Sequence, residues 1–232
     1  MIPWTLIDTA PIPGGEGALR LMRRGAEFSI MLGNIELMNS RLSGSEEALA
    51  TLSCERLSRP APRILIGGLG MGFTLRAMLA ALADPKAQIV VAELVPAVVA
   101  WARGPMAELH GASLSDPRVS IQEADVGKLI RAGRAVYDAI LLDVDNGPDG
   151  LTRAANDSLY HLAGLTAARE ALRPQGVLAV WSSGPDRGFT QRLRKAGFGV
   201  EEIRTRANGK RGGARHVIWI ATRGESARRP PA

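Results

Sequence analysis

Residues 63–72 read RILIGGLGMG, an apolar run from Arg63 to Gly67 that runs into glycines at Gly67, Gly68, Gly70 and Gly72. Glycine lets a backbone turn sharply from strand to helix and approach a ligand closely. A glycine-rich loop alone is a weak motif, and a tight turn without a ligand is its plain alternative. The context gives it weight, because a strand precedes it and a helical stretch, Phe73–Ala83, follows. Outward from this point the alternation repeats. Gln88–Leu94, Arg118–Gln122, Tyr137–Asp143 and Gly176–Trp181 read as strands. Helices are predicted over Val95–Leu109 (adjusted near Gly104-Pro105), Val126–Ala132, Leu162–Leu172 and Gly188–Ala196. Near-continuous apolar strands separated by helices imply an α/β, doubly wound, mostly parallel sheet covered on both faces. The rhythm then breaks. Val200–Arg206 and Arg215–Thr222, joined by the glycine-rich basic loop Ala207–Ala214, have no room for a helix between them and imply an antiparallel hairpin on the sheet edge.

The N-terminal part differs. Residues 1–12 read as a loose lead-in. Ala18–Arg23, Glu27–Leu32 and Ile35–Asn39, with turns at Gly25 and Gly33-Asn34, read as a short β-meander. Residues 43–57 start a helix with Ser45 as its N-cap and Glu46 and Glu47 at the positive end of its dipole. The expected organisation is therefore a meander and linking helix over 1–57, a nucleoside-binding domain over 58–223, and a disordered tail over 224–232.

Composition narrows the classes. The 232 residues, 46% hydrophobic and 22% charged, suit one soluble globular unit. A single cysteine, Cys54, excludes an intramolecular disulfide and a multi-cysteine zinc site, and the three histidines have no metal-ligand spacing, so no metal is expected. Met1–Thr9 lacks the pattern of a signal peptide, and no run of about 18 apolar residues implies a membrane span. A cytoplasmic location follows by default. The net charge of +6 gathers late in the chain, at Arg204, Arg206, Lys210, Arg211, Arg215, Arg223, Arg228 and Arg229. Without aromatic residues among these charges, a solvated hairpin and tail is favoured over nucleic-acid binding.

Candidate site residues fall at the carboxyl ends of the strands, where open parallel sheets bind ligands. Glu93 lies 25 positions beyond Gly68 and suits the vicinal diol of a ribose, with Leu94 beside it. Asp125, with Val126 next to it, can receive the exocyclic amine of an adenine, cap the helix that starts at Val126, or do both. Asp143 and Asp145 can orient a nucleophile or accept its proton, although a turn rich in Asp, Asn, Gly and Pro would use the same residues.

Several segments, in order, resemble the spermidine synthase family of polyamine aminopropyltransferases. ILIGGLGMG (64–72) resembles its strand and glycine loop, AELVPAVV (92–99) its ribose segment and EADVGKLI (123–130) its adenine segment. YDAILLDVDNGP (137–148) resembles the strand with the catalytic aspartate. NDSLYHLAGL (156–165) resembles the acceptor-side segment, with Tyr160 in the aromatic position, and ELMNSRLSGSEEALA (36–50) the link from β-domain to first helix. The resemblance implies a seven-stranded methyltransferase-type sheet, a nucleoside sulfonium donor as co-substrate, a small-molecule acceptor and a homodimer. On it, Glu46, Asn146 and Tyr160 are expected on the acceptor side.

Three departures stand out. Gly70 occupies the place of the family's loop aspartate, which faces the donor's ammonium. The family's Tyr-Gln pair is replaced near Ser45-Glu46-Glu47. The second aspartate of its catalytic loop falls at Asn146. The missing charge at Gly70 points to ordinary S-adenosylmethionine and methyl transfer to a small amine or similar nucleophile as the leading expectation. Aminopropyl transfer from decarboxylated S-adenosylmethionine is the alternative. A catalytically inactive nucleoside-binding or interaction protein, and an RNA-modifying enzyme, are more distant readings.

Overall fold

The computed structural model describes residues 2–15, 17–144, 148, 158–209 and 212–225. Four strands open the chain: β1 (Thr5–Pro11), β2 (Ala18–Arg24), β3 (Glu27–Leu32) and β4 (Ile35–Asn39). They form an antiparallel sheet in sequential order. The expected lead-in is thus corrected to a strand. β1 pairs with β2 from Thr5 opposite Arg23 to Pro11 opposite Ala18. Only Ala10 of β1 is buried, so backbone hydrogen bonds hold this edge strand and no hydrophobic alternation announces it.

Helix α1 (Gly44–Cys54) follows, with Ser43 as its N-cap. The expectation of a Ser45 cap is overturned because Ser45 lies inside the first turn, fully buried, and its hydroxyl bonds elsewhere. Next come β5 (Arg63–Gly67), α2 (Phe73–Ala81), β6 (Gln88–Glu93), α3 (Pro96–Arg103), α4 (Ala107–His110), β7 (Val119–Glu123), α5 (Val126–Ala132) and β8 (Tyr137–Leu142). The chain closes with α6 (Leu162–Ala171), β9 (Leu172–Ser182), α7 (Arg187–Lys195), β10 (Phe198–Arg206) and β11 (Arg215–Arg223).

The large sheet has the order β10-β11-β9-β8-β5-β6-β7. Its five inner and leading strands are parallel, and β11 pairs antiparallel with both β9 and β10. Alternate residues of each strand feed two cores, as the two-residue repeat of a strand requires. Ile64, Ile66, Val91, Leu141 and Ala179 join one core together with residues of α1, α2, α3 and the small sheet. Leu65, Val90, Ile140, Leu142 and Val180 join the other, with residues of α5, α6 and α7. The small sheet therefore shares a core with one face of the large one, beside the carboxyl ends of β5, β6 and β8. Residues 226–232, expected to be disordered, lie outside the described residues, as do Lys210, Arg211, Arg228 and Arg229 of the basic cluster. Among the described residues no helix is long and apolar enough to cross a membrane.

Candidate active site

The strand-to-helix turn after β5 is built on glycine for steric reasons. Gly68 has φ +90° and Gly70 φ +48°. A Cβ on Gly68 would collide with the carbonyl oxygen of Asp143, and one on Gly70 would lie 2.9 Å from the Met38 sulfur of β4. The loop is thus wedged between β8 and the small sheet. Gly68 N–H donates to the Ala92 carbonyl at 2.9 Å, and Asp143 N–H donates to the Gly67 carbonyl at 3.0 Å, which ties three strand ends together.

A cavity of about 190 Å³ lies along this rim. Of the residues named from the sequence, Glu46, Gly68, Gly70, Gly72, Glu93, Leu94, Asp125, Val126 and Asp143 line it. Gly67 sits one step back, where a Cβ would press on the Val126 side chain at 3.0 Å. Asp145 and Asn146 lie outside the described residues. Tyr160 does not line the cavity. It is buried under the sheet's other face, its hydroxyl donates to the Val144 carbonyl at 3.3 Å, and its ring packs edge-on against Phe189 at 5.7 Å.

The ionisable residues among the described cavity lining are Glu46, Glu93, Asp125 and Asp143, all carboxylates, and no lysine, arginine or histidine joins them. Two are held by backbone amides. Glu93 accepts from Leu69 N–H and Val95 N–H, both at 2.9 Å, and so clasps the glycine loop to the end of β6. Burial pushes its carboxyl above the usual range, while the amides of Val95, Leu69, Gly70 and Leu94 pull it back. Asp125 caps α5 through Gly127 N–H at 2.7 Å and also lines the cavity.

The other two carboxylates have hydroxyl partners. Thr74 Oγ1 donates to Asp143 Oδ2 at 2.5 Å. Asp143 keeps part of its surface toward the cavity while protein packs around its remaining sides. Burial, and then the charge of Glu46, push its carboxyl up to about 7, against the Thr74 hydrogen bond. Glu46, at the start of α1, is raised chiefly by burial. Its Oε2 accepts from Ser45 Oγ at 2.6 Å.

The sequence did not single out the other wall. Leu37, Met38 and Asn39 of the small sheet, Thr74 of α2 and Trp181 of β9 reach the same place. Trp181 N–H is buried without a hydrogen-bond partner. Only the apolar meander directly before the helix hinted at such a wall. Among the described residues no cluster of three or more His, Cys, Asp or Glu side chains is arranged to hold a metal ion.

With sheet order, glycine loop and strand-end acids in view, known proteins give a consistent comparison. The spermidine synthase from Thermotoga maritima superposes with a TM-score of 0.74 over 95% of this chain and 74% of that one, at 20% identity. The chain has the fold of a spermidine synthase. A polyamine aminopropyltransferase from Streptomyces coelicolor is 34% identical over 131 residues, 56% of this chain and 24% of that protein. A putrescine N-methyltransferase from Nicotiana tabacum is 34% identical over 133 residues, 57% of this chain and 32% of the other. The matches therefore span a quarter to a third of these relatives' own length. No protein-family model matches the chain.

Proposed function

We propose that this chain transfers an aminopropyl group from decarboxylated S-adenosylmethionine to an amine. The single observation that carries the reading is the cavity lining described above, which offers four carboxylates and no basic group. A donor that retains its carboxylate would add a further acidic group among them, with no cation in the described lining to receive it. The decarboxylated donor carries only positive charge, and an acceptor amine is a cation near neutrality, so both complement the lining.

The steric cradle also fits a nucleoside. Gly68 and Gly70 let the loop pack against Asp143 and Met38 while its backbone borders the cavity. Glu93 retains lone pairs for ribose hydroxyls beside its two amide bonds, with Leu94 next to it. Asp125 and Val126 face the adenine end. The donor supplies an activated sulfonium leaving group, which leaves the protein to align the acceptor and remove its proton. Asp143, with a carboxyl near 7, is matched to that proton transfer at neutral pH.

The loss of the loop aspartate at Gly70 pointed to methyl transfer. The cavity redistributes that charge, because Glu46 brings a carboxylate into the same space from α1. Methyl transfer remains the second reading, favoured by Gly70 and by the similarity to the putrescine N-methyltransferase. The deciding experiment titrates the protein calorimetrically with each donor and identifies by mass the product formed with putrescine. Tighter binding of the decarboxylated donor and an aminopropyl adduct support the proposal. Tighter binding of the intact donor and a methyl adduct would replace it. Donor binding with no product from either would leave a nucleoside-binding protein.

A further inference from the structure

The transfer proposed above releases one proton per turnover, and the cavity must discharge it. The acceptor arrives as an ammonium ion and attacks as a neutral amine. Its nitrogen forms the new N–C bond while the S–C bond breaks. The sulfur keeps the bonding pair and becomes a neutral thioether, and the proton lost from nitrogen passes to the facing Asp143 and Glu46 carboxylates. If the proton stays there, the next acceptor meets a carboxyl that cannot take one.

One hydrogen-bonded chain leads from this pair. Ser45 Oγ lies 2.6 Å from Glu46 Oε2, and His216 Nδ1 lies 2.9 Å from Ser45 Oγ. Ser45 is fully buried, whereas His216, on β11, is only half-buried. The His216 ring stands edge-on to Trp181 with centroids 4.8 Å apart, which fixes its orientation. A serine hydroxyl has one proton to give. With Glu46 ionised, the order is His216 Nδ1–H to Ser45 Oγ, and Ser45 O–H to Glu46. With Glu46 protonated and the ring in its Nε2–H form, Glu46 O–H donates to Ser45 Oγ and Ser45 O–H to Nδ1; as a proton reaches Nδ1 the ring gives up the one on Nε2, so one proton enters the ring and one leaves it. Burial raises Glu46 and lowers His216, so their affinities for the proton converge. The other charges that bear on the pair are Glu47 of α1 and Asp143 of β8.

We infer that Ser45 and His216 form the outlet through which the proton of the acceptor amine leaves the cavity, with Glu46 as its inner end. This rests on the group-transfer reading above. A merely structural contact between α1 and β11 would use the same two hydrogen bonds, so the test separates the two roles.

His216→Gln retains a donor for Ser45 but carries no titrating nitrogen. The expected result is kcat lowered roughly tenfold in dilute buffer, with donor Kd and acceptor KM unchanged and the loss restored by added imidazole. An unaltered kcat, or a loss that imidazole does not repair, would overturn the outlet. A second measurement is independent of turnover. The chain has three histidines, and nitrogen NMR reads the tautomer of each. As Glu46 takes up a proton, the His216 ring should switch from the Nδ1–H form, and Glu46→Gln should abolish that step. A His216 ring blind to Glu46 would sink the inference even in an active enzyme. An inactive parent protein that shows the step would count against the functional reading alone.

Discussion

The two ends of the cavity hold the same kind of group in opposite circumstances. At the proposed nucleoside end, Glu93 and Asp125 accept from the protein's own backbone amides. At the proposed reaction end, Asp143 and Glu46 lie close enough to repel, and the hydroxyls of Thr74 and Ser45 donate to them. Burial raises the carboxyls of Glu93, Asp143 and Glu46 alike, but backbone amides pull Glu93 back, whereas the charge of Glu46 raises Asp143 further. The first pair thus serves as scaffold that also meets a ligand. The second is frustrated until a cation arrives, which is the condition for binding amines and exchanging protons.

This contrast is sharpest in catalysis. Asp143→Asn should lower single-turnover transfer by about 10³-fold, equivalent to about 4 kcal/mol on the barrier, while donor Kd changes little. Wild-type turnover in the variant would remove Asp143 from the reaction.

The pH dependence of stability carries the same asymmetry. The Asp143 carboxyl moves from 3.8 to about 7 on folding. The folded chain then keeps a proton that the unfolded chain releases, so stability is lost as pH rises from about 4 to about 7 and levels off above. A dry site would give roughly 4 kcal/mol, and water in the cavity reduces this to roughly 3 kcal/mol. Denaturant unfolding across this range should show the decline in the wild type and a flatter course in Asp143→Asn. Parallel curves would mean that Asp143 is not strained by its surroundings.

Glu93→Gln tests the other end. It sets an amide N–H against one of the backbone N–H groups that the carboxylate now satisfies. Unfolding free energy should drop by about 2 kcal/mol, together with donor affinity. A variant as stable as the parent would show that the amide clasp is dispensable.

Legibility from sequence follows the same division between local and distant causes. Arg63–Gly67 and Val126–Ala132 were bounded to the residue, because burial on both faces and a following cap leave their mark locally. The strand-end acids Glu93, Asp125 and Asp143 came together because a parallel sheet gathers its carboxyl ends on one rim. β1 escaped because it is held by backbone pairing with little buried side chain. Ser45 looked like a cap, since its partner His216 is 171 positions away and no local pattern reports such a contact. Tyr160 was placed by resemblance on the acceptor side, but its ring belongs to the core of Phe189. The charge at Glu46 was visible, whereas its opposition to Asp143 required the packing of α1 over the ends of β8 and β9.

The smallest effect has the opposite sign and therefore separates the two ends best. Glu46→Gln removes one of two facing like charges and keeps an oxygen to accept from Ser45. Breaking a satisfied buried carboxylate should destabilise, as at Glu93, but relieving a repelled one should stabilise, here by about 1 kcal/mol at pH 8. The remaining Asp143 carboxyl should shift downward toward its ordinary range, because its second-largest cause of elevation is gone. Turnover would still fall, since the amine loses a counter-charge and the proton its path. A protein that is more stable and less active fits a reaction end kept under electrostatic strain for use. If Glu46→Gln destabilised the chain as Glu93→Gln does, the two ends would be alike, and the acidic lining would be scaffold throughout.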